Sequence, residues 1–350
     1  MAVRRRARLV VSIAATLGVV AAAVLAVHRV RGDLDRPLPI AAPVIYRIAP
    51  GSSLGRIAAQ LHQLGVLPAP WVWTLYARWR GDAGAVRAGE YALHPGLTAR
   101  GLLEQFVKGR ILLRSFTIID GWRVADLLAA LRASPYLTTT LPPAPKDLMA
   151  RFGEPGRSPE GEFLPQTYEF PRGTRDVALL AIAHRALVDT LAAAWKSRAP
   201  DLPLRDPQQL LILASIVEKE SALPDERARI AGVYLHRLSI GMRLQADPTV
   251  IFGLGARYRG RLHAADLRAD GPYNTYTRAG LPPTPIALPG AAAIDACAHP
   301  VKTDALYFVA SGKGDGRHVF SATLAEQNAA VKRYLRRLRR HEAAAPKERR

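Results

Sequence analysis

One cysteine, Cys297, occurs in 350 residues, which excludes an intramolecular disulfide and any cysteine-based zinc site. The nine histidines show neither His-x-x-His nor His-x-x-x-His spacing. The sequence therefore points to no metal and no other cofactor, and His299 and His318 read as structural. No Gly-rich phosphate loop is present, and Ser215 and Ser221 have no histidine nearby in sequence to activate them. Lysine is scarce as well: only 8 of the 49 basic residues are Lys. A net charge of +20 and a pI near 10.7 ordinarily raise nucleic acid as a partner. In an Ala-rich chain, an Arg excess reads as GC-rich codon usage as much as selection for a polyanion.

What is present suits a globular protein of two or three domains, with 49% hydrophobic residues and 27 each of Gly and Pro. Arg4, Arg5, Arg6 and Arg8 precede an uncharged run of 19 residues, Leu9 to Val27. As a helix, that run crosses about 30 Å of hydrocarbon. Arg29 and Arg31 follow, but the leading cluster favours the N-terminus inside. A cleaved signal peptide competes, with Ala21–Ala26 as a small-residue site, yet the run exceeds the usual h-region. The expectation is a single-pass inner-membrane protein whose remaining domains lie outside the cytoplasm, where nucleic acid is not a partner.

A spacer from Gly32 to Pro43 leads into a weak threefold echo. Ala49-Pro50-Gly51-Ser52-Ser53-Leu54, His94-Pro95-Gly96-Leu97-Thr98 and Ile119-Asp120-Gly121-Trp122-Arg123 each end a short strand in a Gly turn and open an apolar-periodic helix. Ser53-Leu54 with Ile57-Ala58 resembles the LysM glycan-binding module; a plain spacer domain is the competing reading. A Pro-rich linker spans Leu141 to Pro145. Further helices are expected over about 175–199, 225–239 and 322–340, the last ending in a basic run read as a solvated face. A β-like segment covers 306–310. Residues 240–320, rich in Gly, Pro and aromatics, suit active-site loops.

Glu220 is the most informative position. Asp206, Pro207 and Gln209 read as N-cap, first helical residue and capping-box partner of a helix ending near Ser221. At about 100° per residue, Leu213, Ile216 and Val217 fall within about 60° of Glu220, while Glu218 points about 160° away. A carboxyl group on a buried stripe at the negative end of a helix stays protonated near neutrality. A general acid for glycoside cleavage is made that way. An inward Glu paired with a core Arg is the alternative.

The strings ASIVEKES (214–221), GMRLQADPTVIFGLG (241–255), YNTY (273–276), GLPPTPIALPG (280–290), HP (299–300) and LYFVA (306–310) together resemble the endolytic murein transglycosylases, a YceG-like family. The likeness runs from the N-terminal segment to about Tyr334. It implies an α+β protein: an N-terminal transmembrane helix, a small LysM-like α+β domain, then a mixed α+β catalytic domain with a lysozyme-like catalytic helix. The expected divisions are 1–31, 32–140, 141–340 and a charged tail, 341–350. The resemblance places the catalytic acid at Glu220 and implies cleavage of the MurNAc–GlcNAc bond in peptidoglycan strands, with peptidoglycan synthases as protein partners. Gln166 stands where the family usually has Asp. Gln245, Asp247, Asn274 and Tyr276 are candidate substrate-binding residues, although turn and cap duties also suit Asp247 and Asn274. A lysozyme-type hydrolase would need Asp247 or Glu162 as a second carboxylate. A wall-binding or division scaffold would need no Glu220.

Overall fold

The three Gly turns do open three helices. β1 (Val44–Ile48) is preceded by the N-terminal helix α1 (Ala2–Asp35) and leads to α2 (Leu54–Gln63) and α3 (Pro70–Trp79). β2 (Gly89–Leu93) leads to α4 (Ala99–Lys108), and β3 (Leu113–Thr117) leads to α5 (Val124–Ala133). The turn residues Gly51, Gly96 and Gly121 have φ of 76°, 84° and 75°, backbone that a side chain would strain. Ser53 and Thr98 then cap α2 and α4, accepting from Arg56 N and Gly101 N. Gly51 to Gly55 also has the Gly-x-Ser-x-Gly spacing of a nucleophile elbow. Ser53 is a helix cap there, so the spacing carries no chemistry.

The computed structural model describes residues 2–142, 147–221 and 223–344, with side chains from Ile13 to Arg340 within those ranges, Ala15 excepted. The expected anchor, Leu9–Val27, lies on α1, but the side chains of its basic flank and first residues fall outside the described set. The linker residues 143–146 and the end of the charged tail fall outside it too.

The chain divides into two units: residues 1–114 with 169–172, and residues 115–168 with 173–350. The division comes earlier than the Pro-rich stretch at which the sequence places it. The reason is α5, whose Leu127 and Leu131 are buried and whose Val124 N donates to Glu160 Oε1 at 3.1 Å in the second unit. Gly121 and Trp122, just ahead of α5, exchange backbone hydrogen bonds with Leu288 at 2.8 and 2.7 Å.

In the first unit β1 and β2 pair antiparallel, Val44 opposite Leu93 and Ile48 opposite Gly89. Ile57, Leu61, Trp73, Tyr91, Leu102 and Phe106 form its core. Burial of each large side chain contributes about 1.5–3 kcal/mol. Trp73 satisfies its indole N–H on Ala99 O at 2.9 Å, as a buried polar handle must.

β4 (Thr167–Pro171) pairs with β3, and the second unit continues with α6 (Asp176–Ser197), α7 (Pro207–Glu220) and α8 (Pro224–Ser239). After these come α9 (Asp247–Leu254), α10 (Ala264–Arg268), α11 (Ala291–Ala298), β5 (Tyr307–Ala310), β6 (His318–Ser321) and α12 (Leu324–Ala344). α6 is long and apolar enough to cross a membrane by length and composition. Its Leu179, Leu180, Ala183 and Leu187 are nevertheless buried, as in a core helix.

α7 is the axis of this unit, packed by α6, α8, α9 and α11. It is not the one-sided amphipathic helix that the stripe implies. All of Leu210 to Val217 is buried, so apolar positions occupy every face. At its start Asp206 caps through Gln209 N, at 2.8 Å, and Gln209 reaches back to Arg205 N at 3.0 Å. Ser215, mid-helix and buried, accepts from Ile286 N at 3.0 Å and so fixes the GLPPTPIALPG segment against α7.

Candidate active site

Glu220 is the last residue of α7, where the buried helix emerges into a cleft of about 250 Å³. Four segments build the walls: α8 through Tyr234 and Arg237, residues 244–247, Tyr276, and β5 with His318. The Glu220 side chain keeps a partial opening to solvent through the cleft, though protein surrounds its carboxyl group. Burial, reinforced by the nearby Asp247 carboxylate, raises its pKa to about 7. The Tyr234 hydroxyl and the Arg237 charge oppose that rise. The outcome is a carboxyl group largely protonated just below neutrality, beside a cavity whose polar lining includes Arg237, Gln245, Asp247 and Tyr276.

Tyr234 donates its hydroxyl to Glu220 Oε1 at 2.6 Å. Burial and the adjacent carboxylate hold that phenol well above its ordinary pKa, so it remains a donor. One turn later on α8, Arg237 donates Nε to Leu306 O at 2.6 Å and Nη1 to Leu244 O at 2.5 Å. It thereby holds the start of one cleft wall and the approach to β5 with a single guanidinium group. Opposite, Tyr276 donates to Asp247 Oδ1 at 2.5 Å. Gln245 adopts a left-handed conformation, φ 50°, with its N–H on Thr275 O at 3.1 Å. A non-glycine residue held there costs about 1–3 kcal/mol and often marks a ligand-facing loop.

Three of the four candidate binding residues therefore line the cleft with Glu220: Gln245, Asp247 and Tyr276. Asp247-Pro248 is not a free turn but the first turn of α9. Asn274 departs from the expectation. It is only 5% exposed; its Nδ2 donates to the carbonyls of Asp266, Leu267 and Ala269, and its Oδ1 accepts from Tyr276 N at 2.9 Å. An amide engaged in this way shapes the loop that presents Tyr276, and Asn274 itself lies outside the cleft lining.

Glu218 does face away from the cleft, but it is not a surface residue. Arg227 pairs with it at 2.7 Å and Gly290 N donates to it at 3.0 Å. It is thus the inward Glu with a core Arg that was the alternative for Glu220. Glu162, a candidate second carboxylate, lies outside the cleft lining, buried against Arg157 at 2.8 Å. Gln166 is exposed, and its backbone carbonyl accepts from Ile118 N at 3.0 Å. That bond joins chain segments and does not involve the side chain. His318 pairs with Glu226 at 2.8 Å, yet it also contributes to the cleft wall. Tyr234 and Arg237 were not singled out from the sequence. Their one signal is a Tyr and an Arg three residues apart on a buried helix, which places both on one face.

The chain matches the YceG-like family over residues 46–333. A Bacillus subtilis protein named endolytic murein transglycosylase is 30% identical over 316 residues, covering 82% of this chain and 84% of that protein. A Streptococcus pneumoniae protein of the same name is 28% identical over 79% of this chain and 56% of its own length. A crystal structure of a YceG-like protein from Listeria monocytogenes superposes with a TM-score of 0.53 at 27% identity. It covers 82% of this chain and 98% of that one. With a match that takes in every element of the cleft, the chain belongs to the YceG-like family.

Proposed function

We propose that this protein is a membrane-anchored endolytic lytic transglycosylase that cuts the MurNAc–GlcNAc bond within peptidoglycan strands and so ends strand elongation. The observation carrying this reading is the Glu220 carboxyl, raised to about 7 by burial and set in a polar cleft. Relatives named endolytic murein transglycosylase supply the substrate class. Glu220 donates its proton to the glycosidic oxygen as the C1–O bond breaks toward an oxocarbenium-like state. The resulting carboxylate, stabilised by the Tyr234 hydroxyl, removes the proton from the muramyl 6-hydroxyl. O6 bonds to C1, giving a 1,6-anhydro end. Glu220 is protonated again and no water is consumed. Gln245 and Tyr276 orient the sugar so that O6 faces its own anomeric carbon, a positional constraint that makes up much of any intramolecular displacement.

The α1 helix, with Ile13, Leu17, Val20 and Leu25 exposed, supports anchoring through Leu9–Val27. The strand–helix–helix–strand order from β1 to β2 supports the LysM-like reading of the first unit. Asp247 in the same cleft favours one second reading, a hydrolase in which that carboxylate activates water. Mass analysis of products released from purified glycan strands distinguishes the two. Anhydro ends are expected; reducing ends, heavier by one water, establish hydrolysis, and intact strands refute both.

A further inference from the structure

The first unit has an apolar groove of about 840 Å³, unrelated to the cleft, lined by Ala26, Val27 and Val30 of α1 and by Leu75 and Trp79 of α3. Large apolar side chains are normally covered when they cluster on one helix face. Trp71, Leu75 and Trp79 recur every four residues along α3, a single stripe. They are 64%, 56% and 81% exposed. The opposite face of the same helix, Val72, Trp73, Tyr76 and Ala77, fills the core. α3 is therefore apolar on both sides, and among the described residues only one side is packed into the core.

The location of the groove indicates what covers the other. Its α1 wall begins at Ala26 and Val27, the last residues of the uncharged run that would cross the bilayer. Where that run ends, hydrocarbon gives way to headgroups, and tryptophan is enriched at that level. Exposed Arg29, Arg31 and Arg78 accompany the stripe. Arginine stems lie along apolar surface while their charges reach lipid phosphate. α1 is fixed to this unit by Asp35, which binds Arg100 Nε at 2.8 Å, and by Leu34 in the core. The end of the anchor and the α3 stripe are thus held together as one surface.

We propose that the Trp71–Leu75–Trp79 face of α3 docks into the outer interfacial layer of the same bilayer that α1 spans. The first unit then lies on the membrane instead of swinging from it. This rests on the anchoring reading above. Full-length protein is reconstituted into vesicles of phosphatidylglycerol and phosphatidylcholine brominated close to the headgroup, and tryptophan quenching is recorded. Trp73, Trp122 and Trp195 are buried or half-buried and serve as the internal reference. Quenching is expected in the wild type and is lost in Trp71→Phe/Trp79→Phe. Protein that floats with the vesicles but shows no quenching, or quenching unaffected by the two replacements, overturns the docking and leaves the anchor intact. Protein that does not float overturns both.

Discussion

Replacing Tyr234 by Phe removes one hydroxyl from the site and nothing else. That hydroxyl donates to Glu220 Oε1 at 2.6 Å and favours the ionised carboxylate. A hydrogen bond to a charged group contributes about 1.5–3 kcal/mol. At 1.36 kcal/mol per pKa unit, its loss lifts the Glu220 pKa by ~1–2 units, from about 7 towards ~8–9. In the proposed mechanism Glu220 must enter the reaction protonated. Wild-type activity therefore falls as pH rises through about 7, and the variant holds its plateau further into the alkaline range. The plateau itself should drop, by roughly tenfold, because the carboxylate formed during proton donation has lost its partner. The assay is strand cleavage followed by mass from pH ~5 to ~10. An alkaline limb that stays in place, or moves to lower pH, refutes the role given to Tyr234 and the assignment of the limb to Glu220.

Three further substitutions separate chemistry from architecture. Glu220→Gln should reduce cleavage by ~10²–10⁴. Because folding raises the Glu220 pKa, its proton is held more tightly folded than unfolded. The associated stability is complete below the unfolded carboxyl value and lost as pH climbs through about 7. Gln escapes that loss, so the variant should gain ~1–2 kcal/mol over wild type at alkaline pH, a figure already reduced for the partial opening to solvent; equal pH dependence of unfolding in the two proteins would contradict it. Glu218→Gln leaves Arg227 buried without its carboxylate and should cost ~3–5 kcal/mol, with cleavage per folded molecule near wild type; an unchanged melting temperature would refute the burial argument. Asn274→Ala deletes two Nδ2–H donors shared among three carbonyls and the bond accepted from Tyr276 N, three bonds at about 0.5–1.5 kcal/mol each, lowering stability by ~1.5–4.5 kcal/mol. A normal melting temperature with lost turnover would instead return Asn274 to sugar contact.

Local rules made the helix starts and the Gly turns readable. A cap, a Pro at the first helical position or a glycine with positive φ needs only its sequence neighbours, so α7 and the three strand–turn–helix repeats stood in plain view. Helical phase separated Glu220 from Glu218, although the one-sided stripe behind that separation does not exist. α7 is buried on all faces, and what distinguishes the two acids is their partners, Tyr234 and Arg227. Both partners come from α8, and nothing in the spacing of a single helix reveals which residue of another helix it meets. The same limit hid Arg237, whose carbonyl partners lie up to 69 residues away. Asn274 was misplaced for a different reason. A polar side chain in a Pro/Gly-bounded loop has the same local signature whether it faces a ligand or holds its own turn. α11, rich in Ala, carries no amphipathic period and so gave no helix signal, yet it packs against α6, α7 and α8.

Glu220 is attached to the most deeply packed helix of the second unit, whereas Gln245, Asp247 and Tyr276 project from segments at the surface. These two halves of the cleft are open to very different rates of change. On the proposed reading, exchanging a side chain on the exposed walls would alter which glycan fits, at little cost to folding. Moving the acid one position back along α7 would swing it about 100°, to the exposed place that Lys219 holds outside the cleft lining. On the same reading, substrate preference can diverge around a proton donor whose place is set by the end of α7. By the same coupling, a methylene lost far down the core beneath α7 should be felt as a displaced proton before it is felt as unfolding.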